Sequence, residues 1–187
     1  MNRKTEISRN IDMQIREMER SKELLDIKHE MVHIDDLNSI QSDSFEKYKS
    51  YTNSVYIIEA PNACNLRIDE VERLFENNRA NHFNPYYHIS RINKKHFGNG
   101  NITLYVGSKQ KDLGNRFLQH LGLIDKKKRS VSSLYMKDWW GNNGTIDITI
   151  YNYGEEINHN QLQIIEDAIW NVMKPLFGKR GGNLNSQ

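Results

Sequence analysis

The sequence predicts an α/β or α+β sandwich built around a small sheet. Three runs of strand composition carry that prediction: SVYIIEA (54–60), NITLYVGS (101–108) and TIDITIY (145–151). Each is short and rich in β-branched or aromatic residues, and the third alternates clearly. Helical patterns stand between and after them. The order is strand, insertion, strand, helix, strand, helix, which stacks helices on a sheet.

Taken in order, residues 5–30 read as one charged helix. Ile11, Ile15, Met18 and Leu25 fall on one stripe, with Lys22 interrupting it. So thin a stripe suits an arm that docks on the core or pairs with a second copy of itself. Residues 38–53, NSIQSDSFEKYKSYTN, are polar and Ser-rich and read as a linker. Residues 1–50 are therefore expected to be an N-terminal helical arm and linker, and 51–187 one domain. Pro61-Asn62 ends the first strand. Residues 66–80 are helical through Leu66, Val71, Leu74 and Phe75. The stretch 81–100 is irregular and closes on the turn signal Gly98-Asn99-Gly100. After the second strand comes a short helix at 112–121, with Asp112 as N-cap and Gly122 as its stop. The last helix runs over 160–173 and ends before Pro175.

The formal net charge is only +2, so charge alone names no partner. Its distribution says more. Lys126-Lys127-Lys128-Arg129 is a basic run; Lys109 and Lys111 precede Arg116; Arg91, Lys94, Lys95 and His96 lie upstream; Lys174, Lys179 and Arg180 come late. One such cluster is ordinarily solvated surface, whereas several around one site favour a polyanion. Cys64 is the only cysteine, which excludes an internal disulfide and a thiolate metal cluster. No apolar stretch approaches the ~18 residues of a membrane span, and MNRKTEISRN lacks the apolar core of a signal peptide. The expected setting is a reducing cytoplasm without a membrane partner.

Few residues offer chemistry. Leu113, Phe117 and Leu121 make the apolar stripe of the 112–121 helix, and Arg116 and His120 border it at i and i+4. That position suits the rim of a cleft, or equally an exposed basic pair. In the last helix Leu162, Ile165, Ile169, Val172 and Met173 form the apolar face. Glu166 lies on its edge, and Asp167 points away. A carboxylate on a packing face needs a cation. No Lys or Arg stands one turn away, which leaves a tertiary salt bridge or a metal. Tyr56 and Tyr105 sit mid-strand, and singly each reads as a core tyrosine. Gly107 would let a phosphate or another backbone approach closely. Trp139-Trp140 either stacks on a ligand or fills the core.

In this order the residues resemble the GIY-YIG nuclease family. Ser54-Val55-Tyr56 stands at its first triplet and Tyr105-Val106-Gly107 at its second. Arg116 and His120 match its Arg-x-x-x-His helix, Glu166 its metal-binding Glu, and Asn183 in GKRGGN its late Asn. The resemblance covers about 54–183. It implies a central, mostly antiparallel three-stranded sheet flanked by helices. The separation of the triplets implies that about 61–100 form an inserted, substrate-facing module.

The resemblance also implies cleavage of phosphodiester bonds in DNA with one Mg²⁺ or Mn²⁺ held by Glu166. Arg116 would stabilise charge on the phosphoryl oxygens. Tyr56, or failing it Tyr105, would activate the water, and His120 would share the proton or position the Tyr. Gly107, Ser108, Lys109, Lys127, Lys128 and Asn183 would bind substrate. Restriction or host-defence members are the ones it is similar to. The competing expectations are a non-catalytic nucleic-acid-binding module of the same fold and an RNA-directed nuclease.

Overall fold

The computed structural model describes residues 3–24, 29–80, 90–98, 100–125, 132–141 and 143–181. Leu25, Lys127, Lys128 and Asn183 lie outside them. The order is α1 (Arg3–Glu23), β1 (His29–Ile34), β2 (Thr52–Glu59), α2 (Ile68–Ala80), β3 (Thr103–Lys111), α3 (Leu113–Leu121), β4 (Ile146–Asn152) and α4 (His159–Met173). The strands form one antiparallel sheet in the order β1-β4-β2-β3. The architecture is therefore α+β, with four strands rather than the expected three.

The fourth strand comes from the stretch read as arm and linker. β1 pairs with β4 from His29 opposite Tyr151 to Ile34 opposite Ile146. The supposed linker holds a 3-10 helix, Ser42–Ser50, whose Phe45 and Tyr48 are buried. Glu30 explains why this was hard to see. It occupies an inward position on β1, where a polar residue hides the apolar alternation, and it is satisfied by Lys47, Tyr48 (2.9 Å) and Tyr51 (2.8 Å).

Side-chain alternation sends neighbouring strand residues to opposite faces and so makes two cores. Tyr56, Ile58, Ile146, Ile148 and Ile150 join Phe45, Leu113, Phe117 and Leu121 on the α3 face. Val55 packs with Tyr153, Ile157, Leu162 and Ile165 on the α4 face. The expected insertion is built into the first core through Ala63, Val71 and Phe75. Trp139 and Trp140 are core residues too, their indole N–H groups donating to Leu134 O (2.7 Å) and Gly144 O (3.1 Å), so they do not stack on a ligand.

Helix ends obey local chemistry. Asp112, in the left-handed region (φ 61°), accepts from Asn115 N–H, and Gly122 closes α3 at φ 79°. Asn158 and Gln161 form a capping box at the start of α4, and Lys174 precedes Pro175 at its end. α1 leans on α4: Ser21 is buried, and Asn158 donates to Glu17 (3.3 Å). Its apolar residues Ile7, Ile11, Met13, Ile15 and Met18 nevertheless stay exposed, as does Val172 of α4, which does not join the packing face as expected. Among the described residues no helix is long and apolar enough to cross a membrane.

Candidate active site

β2 and β3 bring the two tyrosines together. Their register sets Tyr56 opposite Gly107 and Ile58 opposite Tyr105, so both rings leave the sheet on the α3 face. They stack with centroids 6.1 Å apart and planes 14° from parallel. Gly107 is required by this packing: a Cβ there would lie 2.7 Å from Tyr56 Oη and 2.7 Å from Tyr105 Cε1. Its missing side chain makes room for tyrosines, rather than for an approaching phosphate.

α3 supplies the cations above them. Arg116 Nε–H donates to Tyr56 Oη (3.1 Å), Nη2 to Tyr105 Oη (3.2 Å) and Nη1 to Gln119 Oε1 (3.3 Å). The three acceptors are two phenol oxygens and an amide oxygen, and no carboxylate bonds to the guanidinium among the described residues. Burial disfavours its charge, but the surrounding Tyr56 and Tyr105 oxygens outweigh burial and hold it protonated.

His120 was expected at a rim and is instead fully buried. Burial first, then the charge of Arg116, pushes its pKa well below the ordinary value, so it is neutral. Its Nδ1 accepts from Leu134 N–H (3.3 Å), which places the single ring proton on Nε2. Nε2 lies 2.9 Å from Tyr56 Oη and therefore donates to it. Tyr56 thus receives two donors. Burial nevertheless raises its pKa, against the lowering effect of Arg116, and the free chain holds it as a neutral phenol. Tyr56 is 1% exposed, whereas Tyr105 reaches the surface in part.

Glu166 approaches from the other side of the same strand. Ser108 follows Gly107 and faces α4, where its hydroxyl donates to Glu166 Oε2 through a short contact. Gln163 donates weakly to that oxygen as well (3.5 Å). Oε1 makes no hydrogen bond among the described residues. Burial raises the Glu166 pKa, against the Ser108 hydrogen bond, with Asp167 adding to the rise and Arg116 opposing it. The cluster therefore wraps the sheet edge at β3, with cation and phenols on one face, a carboxylate on the other, and charges close enough to influence each other.

Asp167 does not point away as expected. It is 1% exposed, takes a hydrogen bond from Gln163 (3.1 Å) and faces Arg180 at 3.5 Å. Gln163 has no place in the sequence analysis, and neither the burial of Asp167 nor its pairing with Arg180 is expected there. The i+4 spacing of Gln163 and Asp167 was a usable signal, but Arg180 comes from a later loop. Lys109 is exposed on β3, where Ser54 is its register partner.

Comparison with known proteins adds no identification: no family model, curated protein or solved structure matches the chain. The resemblance to GIY-YIG nucleases therefore rests on the sequence motifs alone.

Proposed function

We propose that the chain is a divalent-metal-dependent endonuclease that hydrolyses phosphodiester bonds in DNA. The observation that carries this reading is Arg116. It is a half-buried cation with three N–H groups committed to tyrosine and amide oxygens. A guanidinium has five N–H donors, so among the described residues two remain, in a low-dielectric setting with no carboxylate bonded to it. Such a group is suited to the oxygens of a phosphate.

The donor set near Glu166 fits a hard cation that keeps most of its waters. It offers one carboxylate with a free Oε1 and the Ser108 hydroxyl beside it. No cluster of three or more His, Cys, Asp or Glu stands among the described residues. Glu166, with Ser108 beside it, would hold Mg²⁺ or Mn²⁺, which when bound supplies positive charge at the leaving oxygen. Arg116 binds the non-bridging oxygens and stabilises the charge that grows on them. Tyr105, the less buried of the two tyrosines, acts once deprotonated: Arg116 stabilises its phenolate, which then takes the proton of the attacking water and returns to the phenol. Tyr56 was the first choice for that role on sequence, but its burial argues for a positioning role. Tyr56 and His120 fix the pose of Arg116, and Gly107 lets the two rings stack. Lys109, Lys127, Lys128 and Asn183 complete the substrate contacts in this reading.

The nuclease unit so proposed includes β1 and the 3-10 helix along with 51–187. Exposed Ile7, Ile11, Ile15 and Met18 support a homodimer through α1. Restriction or host defence is the setting that the family resemblance suggests. Incubating the chain with plasmid and with structured RNA, with and without Mg²⁺, tests the proposal. Mg²⁺-dependent plasmid cleavage supports it. Cleavage of the RNA alone would redirect it to RNA, and binding to both without cleavage would reduce the chain to a binding module.

A further inference from the structure

Beside the candidate site opens a cleft of about 780 Å³, lined by Arg91, Lys94, Lys95, Trp170, Lys179 and Arg180 among others. Two segments distant in sequence build it, and backbone bonds hold them in register. Ile92 bridges Phe177, Asn93 N–H donates to Leu176 O (2.8 Å), and Gly178 N–H donates to Arg91 O (2.8 Å). The Asn93 side chain adds bonds to Pro175 O (2.9 Å) and Gly178 O (3.0 Å). Backbone bonds also tie the second segment to the sheet, since Leu176 and Phe177 N–H groups donate to Thr103 O and Leu104 O at the start of β3.

The fold thus gathers five permanent cations in one cleft, which is unfavourable without an anion. Among the described residues two are compensated: Lys94 by Glu72 (2.5 Å) and Arg180 by Asp167 (3.5 Å). Arg91, Lys95 and Lys179 have no carboxylate partner among the described residues. The cleft also adjoins the candidate site twice. Gly178, next to Lys179, packs so tightly on Tyr105 that a Cβ would lie 2.7 Å from Cε2. Arg180 is tied to Asp167, the chain neighbour of Glu166. Exposed Arg91, Lys95 and Lys179 lining one open cleft fit a polyanion.

We infer that this cleft carries the phosphodiester backbone of duplex DNA to the Tyr105–Glu166 edge, with Arg91, Lys95 and Lys179 on phosphates. The inference rests on the nuclease reading. The test is fluorescence anisotropy of a labelled 30-base-pair duplex with the full chain, in Ca²⁺ without Mg²⁺, over a series of salt concentrations. Lys95→Ala/Lys179→Ala should flatten the slope of log K against log salt by about 2, roughly one per lost phosphate contact. Affinity at low salt should fall on the order of tenfold or more. Lys95→Arg/Lys179→Arg should keep the wild-type slope, and Arg9→Ala/Lys22→Ala on α1 should keep it too. A wild-type slope in the Lys95/Lys179 alanine variant, or an equal flattening in the α1 variant, would overturn the cleft while leaving the nuclease reading standing. A wild-type chain that does not bind the duplex would overturn both.

Discussion

Arg116 is the residue on which the chemistry turns, because its neighbours position it without neutralising it. Arg116→Ala removes a preorganised donor, and the single-turnover cleavage rate should fall on the order of 10²- to 10³-fold at saturating DNA. A collapse of affinity with an unchanged saturated rate would make Arg116 a positioning contact instead. Glu166 predicts a pH effect. Its pKa is raised, mainly by burial, so the charged form is lost at a higher pH than for an ordinary carboxylate. At subsaturating Mg²⁺, where protons compete with the metal for Glu166, metal-dependent activity should therefore decline on acidification while the pH is still above the ordinary carboxylate range of about 4.3. A rate–pH profile with an acid limb at or below that value would contradict the burial argument. Gly107 is a packing requirement, so Gly107→Ala should destabilise by about 1–3 kcal/mol through overpacking against the two tyrosines. An unchanged melting temperature would show that the rings yield freely.

At the scale of elements, the sheet edge defines the site and the opposite edge defines much of what the sequence concealed. β2, β3 and β4 were legible because their short runs are rich in β-branched and aromatic residues and lie near turn signals. α3 was legible through Asp112 and Gly122. β1 was not, since HEMVHI places Glu30 inward and leaves Met31 exposed. Its strand character depends on Lys47, Tyr48 and Tyr51, which lie beyond any local window. The same reason hid the burial of His120, whose partner Leu134 follows fourteen residues later, and that of Asp167, whose partner is Arg180. Tyr56, Tyr105, Arg116 and Glu166 were legible as a set, and the fold brings them to one edge.

β1 also predicts a pH response. His33 lies 2.5 Å from Asp147 and 2.9 Å from Asp35, and the Asp147 hydrogen bond, followed by that of Asp35, raises its pKa. A raised histidine pKa stabilises the fold fully below the unfolded value and loses that contribution as pH rises through the folded one. Melting temperature should therefore drop from about pH 6.5 upward more in the wild type than in His33→Gln. Parallel curves would remove the staple.

For the whole molecule, α1 presents apolar residues that its own core does not cover. Ile11→Glu/Ile15→Glu should convert a dimer into a monomer by light scattering without lowering the melting temperature. A monomeric wild type would leave α1 as an arm docked on α4 alone. Removing everything before Asn38 is not a clean version of this test, because it would also delete β1 from the sheet. If one carboxylate and one guanidinium act together across β3, plasmid nicking in Mg²⁺ should separate the wild type from Glu166→Gln. The wild type should cleave, a chelator should abolish the cleavage, and Glu166→Gln should lose it with DNA binding retained. Near-wild-type Mg²⁺-dependent cleavage by Glu166→Gln would contradict that joint action.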